Sequence, residues 1–242
     1  MPDAWHDPVV ARIALLAHGA GSCPGSALRL LGPAVPHGVA VVAIDARGTM
    51  TDVVDRLRAA ATGHDVVLAA GVSLGAHAVA TWSALGGRAA ELLLALPAWT
   101  GSPGDVAALT ASSAADVRVR GRVGVLAGVA ASAPGDWVVD ELRRCWAEQD
   151  DGELADALDA AATSAAPEPS DLARIRASTV VVALADDPLH PVSVARSWAE
   201  AIPGARLVVV ARHEPGRDRG ALGRAGRAVL DASAAGALSG SR

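Results

Sequence analysis

The chain has 242 residues, 51% of them apolar, and a formal net charge of −5. That length suits one large domain with a sizeable core. An acidic balance with no block of like charge excludes the basic stripe of a nucleic-acid-binding protein, and no run approaches 18 uninterrupted apolar residues, so no membrane span is expected.

Phe, Tyr, Lys and Asn are missing, while Ala, Val, Leu, Gly and Arg dominate. All four missing residues have AT-rich codons, so the bias reads as genomic. Its consequence is a core of small aliphatic side chains in which six Trp are the bulky aromatics.

In chain order, the opening MPDAWHDPVV lacks the basic and apolar regions of a secretory signal. The run 11–17 (ARIALLA) reads as a first strand and leads into His18-Gly19-Ala20-Gly21-Ser22. A second, 39–44 (VAVVAI), leads into Asp45-Ala46-Arg47-Gly48, and 51–62 then has helical spacing behind a Thr. The third run, 65–70 (DVVLAA), precedes Gly71-Val72-Ser73-Leu74-Gly75 and a helix-like stretch. The fourth, 91–96 (ELLLAL), gives way to Pro97-Ala98-Trp99.

From about residue 99 to 169 no strand is expected. Segments 136–149 and 151–163 read as helices, so the interval 100–169 predicts an inserted helical lid. The alternation resumes at 178–185 (STVVVALA), followed by Asp186-Asp187-Pro188-Leu189-His190-Pro191 and a helix over 191–202. A sixth run, 205–211 (ARLVVVA), precedes Arg212-His213-Glu214-Pro215, and the end, 231–242, is expected to be a flexible tail.

Near-continuous apolar runs fit strands covered on both faces. Alternation with helices implies right-handed crossovers and a three-layer α/β/α fold. The expectation is one domain over 1–242: class α/β, with a mostly parallel sheet of about six strands. The two cysteines, Cys23 and Cys145, suggest neither a disulfide framework nor a metal site, and a soluble cytoplasmic chain is expected.

Ligands of such sheets bind beyond the carboxyl ends of the strands. A Ser, a carboxylate pair and a His stand there, in that chain order. With Gly71-x-Ser73-x-Gly75 between a strand and a helix, the chain resembles the α/β-hydrolases over nearly its whole length. It departs from them in leaving no room before residue 11 for the antiparallel strands that usually open the fold, which predicts a trimmed sheet.

The resemblance implies a Ser73 nucleophile on a sharp turn, His213 after the last strand as base, and an acid after the fifth strand. Asp187 is preferred to Asp186 because the family's acid commonly precedes a proline by four positions, here Pro191. The oxyanion hole would use the backbone N–H of Leu74 and that of Ala20 in the HGAG loop, with Gly19 and Gly21 allowing close approach. His190 is the rival base, but its position three residues past Asp187 assigns it to the rim. His18 would organise its loop, His77 would be packed, and His6, His37 and His64 would lie at the surface. Asp45 and Arg47 read as a turn brace, and Cys23 as a small buried side chain. Trp99, Trp137 and Trp146 could line an acyl or alcohol pocket as readily as pack the lid.

The expected activity is hydrolysis of esters of small or medium carboxylic acids through an acyl-enzyme, on a small-molecule substrate, with no metal or cofactor. A Ser rather than an Asp at the elbow argues against haloalkane dehalogenase or epoxide hydrolase chemistry. Thioester, amide or carbon–carbon hydrolysis and acyl transfer could use the same parts. A second reading is a non-catalytic binding protein on this scaffold. The two part on His213: if it points away from Ser73, hydrolysis would be feeble.

Overall fold

The computed structural model describes residues 10–239, with side chains to residue 235. Residues 1–9, with His6, and 240–242 of the expected tail lie outside the described residues. Among the described residues six strands are present: β1 Arg12–Ala17, β2 Ala40–Ile44, β3 Asp65–Val72, β4 Glu91–Ala95, β5 Ser178–Leu184 and β6 Arg206–Val210. They pair in parallel throughout, in the order β2-β1-β3-β4-β5-β6.

The helices are α1 Pro24–Leu31, α2 Met50–Ala61, α3 Leu74–Ala84, α4 Asp105–Ser132, α5 Trp137–Trp146, α6 Asp151–Thr163, α7 Pro169–Leu172, α8 Val192–Ala201, α9 Glu214–Arg217 and α10 Ala221–Ser239. Residues 231–239, expected to fray, continue α10. None of the described helices is long and apolar enough to cross a membrane.

The apolar runs are explained by burial on both faces. Leu92 and Leu94 join Val53, Val79 and Trp198 on the face covered by α2, α3 and α8. Leu93 and Ala95, the alternate residues, join Leu31 and Leu222 under α1 and α10. Every position of β4 past its first is therefore buried, and each such leucine contributes about 1.5–3 kcal/mol of transfer free energy.

Helix ends follow local chemistry. Thr49 and Asp52 form a reciprocal capping box at α2, as Asp150 and Glu153 do at α6. The interval between β4 and β5 is helical, as its lack of strands predicts, but it contains a long helix, α4, that its sequence hid. Gly121 breaks α4 with φ 67 and ψ 159. The break frees the Arg122 N–H, which donates to Asp151 Oδ1 at 3.1 Å.

The sheet sets the site. From β1 the chain passes outward to β2, then crosses back to β3 on the other side, so the winding reverses between β1 and β3. A crevice opens at the carboxyl ends of such a pair. The loops 18–22 and 73–75 meet there.

Candidate active site

Ser73 joins β3 to α3 with φ 54 and ψ −117. For a non-glycine residue this left-handed backbone costs on the order of 1–3 kcal/mol and persists only where the surroundings dictate it. They do so here through two glycines. A Cβ on Gly71 would lie 2.2 Å from the Gly75 carbonyl carbon, and one on Gly75 would lie 2.4 Å from the Ala17 carbonyl oxygen. The turn is tied on both sides: the Ser73 N–H donates to the Ala95 carbonyl at 2.8 Å, and the His77 N–H donates to the Ser73 carbonyl at 3.0 Å.

Above the turn, Ser73 Oγ lies 3.0 Å from Nε2 of His190. His190 Nδ1 lies 3.1 Å from Asp187 Oδ2. The other Asp187 oxygen accepts from the Leu189 N–H at 2.9 Å and the His190 N–H at 3.3 Å. Burial opposes the charge on Asp187. The His190 hydrogen bond and charge, the Leu189 N–H and the Arg212 guanidinium outweigh it and hold the carboxyl below its ordinary pKa. With Asp187 ionised, His190 donates from Nδ1 and presents Nε2 to the serine.

His213 is the correction. Its side chain is 60% exposed and pairs with Glu214 at 3.0 Å. After β6 the chain turns into α9, and of two consecutive residues only Arg212 points inward, reaching Asp187 at 3.6 Å. His190, assigned from its spacing to the rim, takes the place against Ser73 instead. The spacing works because Asp187 accepts from the two N–H groups ahead of it, which folds Asp187-Pro188-Leu189-His190 back on itself. Asp186 is exposed, at φ 57, and the carboxylate bonded to the His190 ring is that of Asp187.

Beside the serine runs the HGAG loop. A Cβ on Gly19 would lie 3.2 Å from Ser73 Cβ. His18 is buried, and burial lowers its pKa. The neutral ring donates from Nδ1 to the Gly19 carbonyl at 2.8 Å and accepts at Nε2 from the Ala46 N–H at 2.9 Å, which fixes the loop. The expected Asp45–Arg47 brace is present, with Arg47 Nε donating to Asp45 Oδ1 at 2.9 Å. Ala20 therefore sits in a loop held beside Ser73, and Leu74 opens α3, where N–H groups have no intrahelical partner.

A disulfide joins Cys23 to Cys145, which corrects the expectation that the two cysteines form no disulfide framework. The two are 122 residues apart in sequence, a spacing with no signal in it. The bond pins α5 beside the HGAG loop, and next to it Trp146 Nε1 donates to the Gly21 carbonyl at 2.8 Å.

No family model matches the chain, and no curated protein matches its sequence. Solved structures do match. A hydrolase from Pseudomonas aeruginosa PA01 is similar over 90% of this chain and 89% of its own, at 22% identity and a TM-score of 0.65. A thermophilic esterase from Thermogutta terrifontis is similar over 87% of this chain and 85% of its own, at 18% identity and a TM-score of 0.65. For an enol-lactonase from Burkholderia xenovorans LB400 the figures are 86%, 85%, 19% and 0.62. The chain has the α/β-hydrolase fold. Identities this low speak for the fold, and the chemistry rests on the side chains described above.

Within the α/β-hydrolase fold, the helices between β4 and β5 roof a cavity of about 380 Å³ that reaches Ser73 and His190. Gly19, Trp99, Trp137 and Trp146 all line it. The three indole N–H groups are occupied by protein carbonyls, those of Ser164, Arg212 and Gly21 respectively. Their rings therefore present apolar, fixed surfaces to the cavity, alongside Leu30, Leu142 and Leu158. Glu141, at its edge, is neutralised by Arg29 at 2.8 Å and Arg219 at 3.2 Å.

His77, fully buried, accepts at Nε2 from the Ala98 N–H at 3.1 Å and packs against Trp99, with ring centroids 4.9 Å apart. Burial, and then the charge of His190, pushes its pKa down to about 3. It is a neutral support for the wall of the cavity. His37 and His64 are exposed, as expected.

Proposed function

We propose that the protein is a serine hydrolase that cleaves esters of small to medium apolar carboxylic acids through an acyl-enzyme on Ser73. The observation that carries this reading is the continuous relay from Ser73 Oγ to His190 Nε2 at 3.0 Å and from His190 Nδ1 to Asp187 at 3.1 Å. A serine hydroxyl is a weak nucleophile until a base takes its proton during attack. His190 takes that proton, and Asp187 stabilises the imidazolium without itself being protonated.

The carbonyl oxygen becomes an oxyanion that accepts from the N–H groups of Leu74 and Ala20, each worth a few kcal/mol to the transition state. As the tetrahedral intermediate collapses, His190 protonates the departing alcohol. Water then enters, gives its proton to His190 and attacks the acyl carbon. A second collapse returns that proton to Ser73 Oγ and releases the acid.

The substrate class follows from the cavity. Its wall of leucines and capped indoles favours an uncharged, apolar group, and its two buried carboxylates, Glu141 and Asp187, are already paired. The binding-protein reading turned on His213, which does point away from Ser73; His190 Nε2, 3.0 Å from Ser73 Oγ, supports the enzyme reading in its place. A small-molecule substrate is the matching reading of the partner; a cytoplasmic location requires the Cys23–Cys145 pair in its dithiol form.

A p-nitrophenyl ester series tests this. Each added methylene contributes up to about 0.8 kcal/mol when buried, so kcat/KM should climb roughly two- to fourfold per carbon from acetate until the chain outgrows the cavity, and then fall. Parallel acyl thioesters decide between ester and thioester as the better substrate. A folded protein that turns over no member of either series contradicts the proposal.

A further inference from the structure

Acid and base of the proposed triad come from one four-residue stretch. The bonds from Leu189 N–H and His190 N–H to Asp187, and the one between Asp187 and the His190 ring, are all internal to that stretch. They set its shape but do not hold it over Ser73.

Arg212 reaches it from a different strand. Its Nη1 lies 3.6 Å from Asp187 Oδ1, while its Nη2 donates to Asp136 Oδ2 at 2.5 Å. Asp136 is the N-cap of α5. The Arg212 carbonyl in turn accepts from Trp137 Nε1 at 3.1 Å. Side chain and backbone of one residue thus grip the first turn of α5 and the acid of the relay together.

The geometry also divides the carboxylate. The guanidinium faces Oδ1 and leaves Oδ2 to His190, and Asp136 holds it there, so it does not compete for the oxygen that orients the imidazole. Side-chain exposures of 32% for Arg212, 17% for Asp136 and 7% for Asp187 place these charges where solvent screens them less than at an open surface.

We propose that Arg212 is a positioning residue that tethers the Asp187–His190 loop to the end of β6 and to α5, keeping His190 on Ser73. This rests on the serine-hydrolase reading of the same site. A base displaced by a fraction of an ångström loses rate while substrate binding in the cavity persists.

The test compares second-order labelling rates by a fluorophosphonate, together with ester turnover, for the wild type, Arg212→Gln and Arg212→Lys. The expected result is a loss of about tenfold in both labelling rate and kcat for Arg212→Gln, with KM within about twofold. Arg212→Lys should recover only part of it, because one ammonium can face Oδ1 but cannot also hold Asp136 as the guanidinium fork does. Overturning results are a wild-type labelling rate in Arg212→Gln, or equal losses in both variants that track their melting temperatures. A wild type that never labels is a separate outcome: it defeats the serine-hydrolase reading itself, and the tether with it.

Discussion

Replacing His190 by alanine should lower kcat for any ester the protein cleaves by about a thousandfold or more, while His213→Ala should leave kcat within about twofold. The contrast is large because the two residues differ in kind. His190 lies between Ser73 Oγ and Asp187 at 3.0 and 3.1 Å, so on the proposed mechanism its loss leaves Ser73 without a proton acceptor. His213 faces solvent and contacts Glu214, so its loss removes one exposed polar contact, of a kind worth about 0–1 kcal/mol. Turnover of the two variants beside the wild type, with melting temperatures to confirm folding, reads the difference. An inactive, folded His213→Ala with an active His190→Ala would reverse the assignment of the base.

Reducing the Cys23–Cys145 disulfide should lower the free energy of unfolding by roughly 4–5 kcal/mol. The estimate comes from the chain that the bond closes: 122 residues separate the two cysteines, and without the cross-link the unfolded chain regains that loop entropy. Both cysteines are buried, so the reduced form is best prepared in denaturant and refolded with a thiol present. Denaturant midpoints of the oxidised and reduced proteins, with Cys145→Ser as a reagent-free control, measure the effect; coincident midpoints would contradict it. Disulfides persist in oxidising compartments. A cytoplasmic location would therefore place the protein in its weaker, dithiol form, with Trp146 Nε1 still donating to the Gly21 carbonyl.

The strands were readable because burial on both faces leaves a contiguous apolar run, and a parallel sheet under two helical layers buries nearly all of β3, β4 and β5. The elbow was readable because Gly71 and Gly75 are required by contacts of 2.2 and 2.4 Å, which confine the sequence to one pattern. The strand end marked Asp186 and Asp187 alike, and only the resemblance, through the four-residue spacing to Pro191, preferred Asp187. His190 was not legible, because chain separation is a poor guide to reach: a turn closed by the Asp187 carboxylate brings the imidazole across three residues to the same carboxylate. A D-P-x-H stretch after a strand, in which the turn itself can deliver the ring, was the signal available.

The other omissions have related causes. Arg212 and His213 are neighbours in a turn, and nothing in their order says which points inward. The Cys23–Cys145 bond depends on how the helices after β4 fold back, and α4 was obscured by the break at Gly121. Long-range packing decides all three.

The central claim is that Ser73 is a nucleophile activated by His190. Its most direct test is fluorophosphonate labelling of the folded wild type, followed by mass spectrometry of its peptides. The account predicts one adduct per chain, on the peptide containing Ser73, and none in Ser73→Ala. A folded wild type without an adduct, or an adduct that survives in Ser73→Ala, would contradict it.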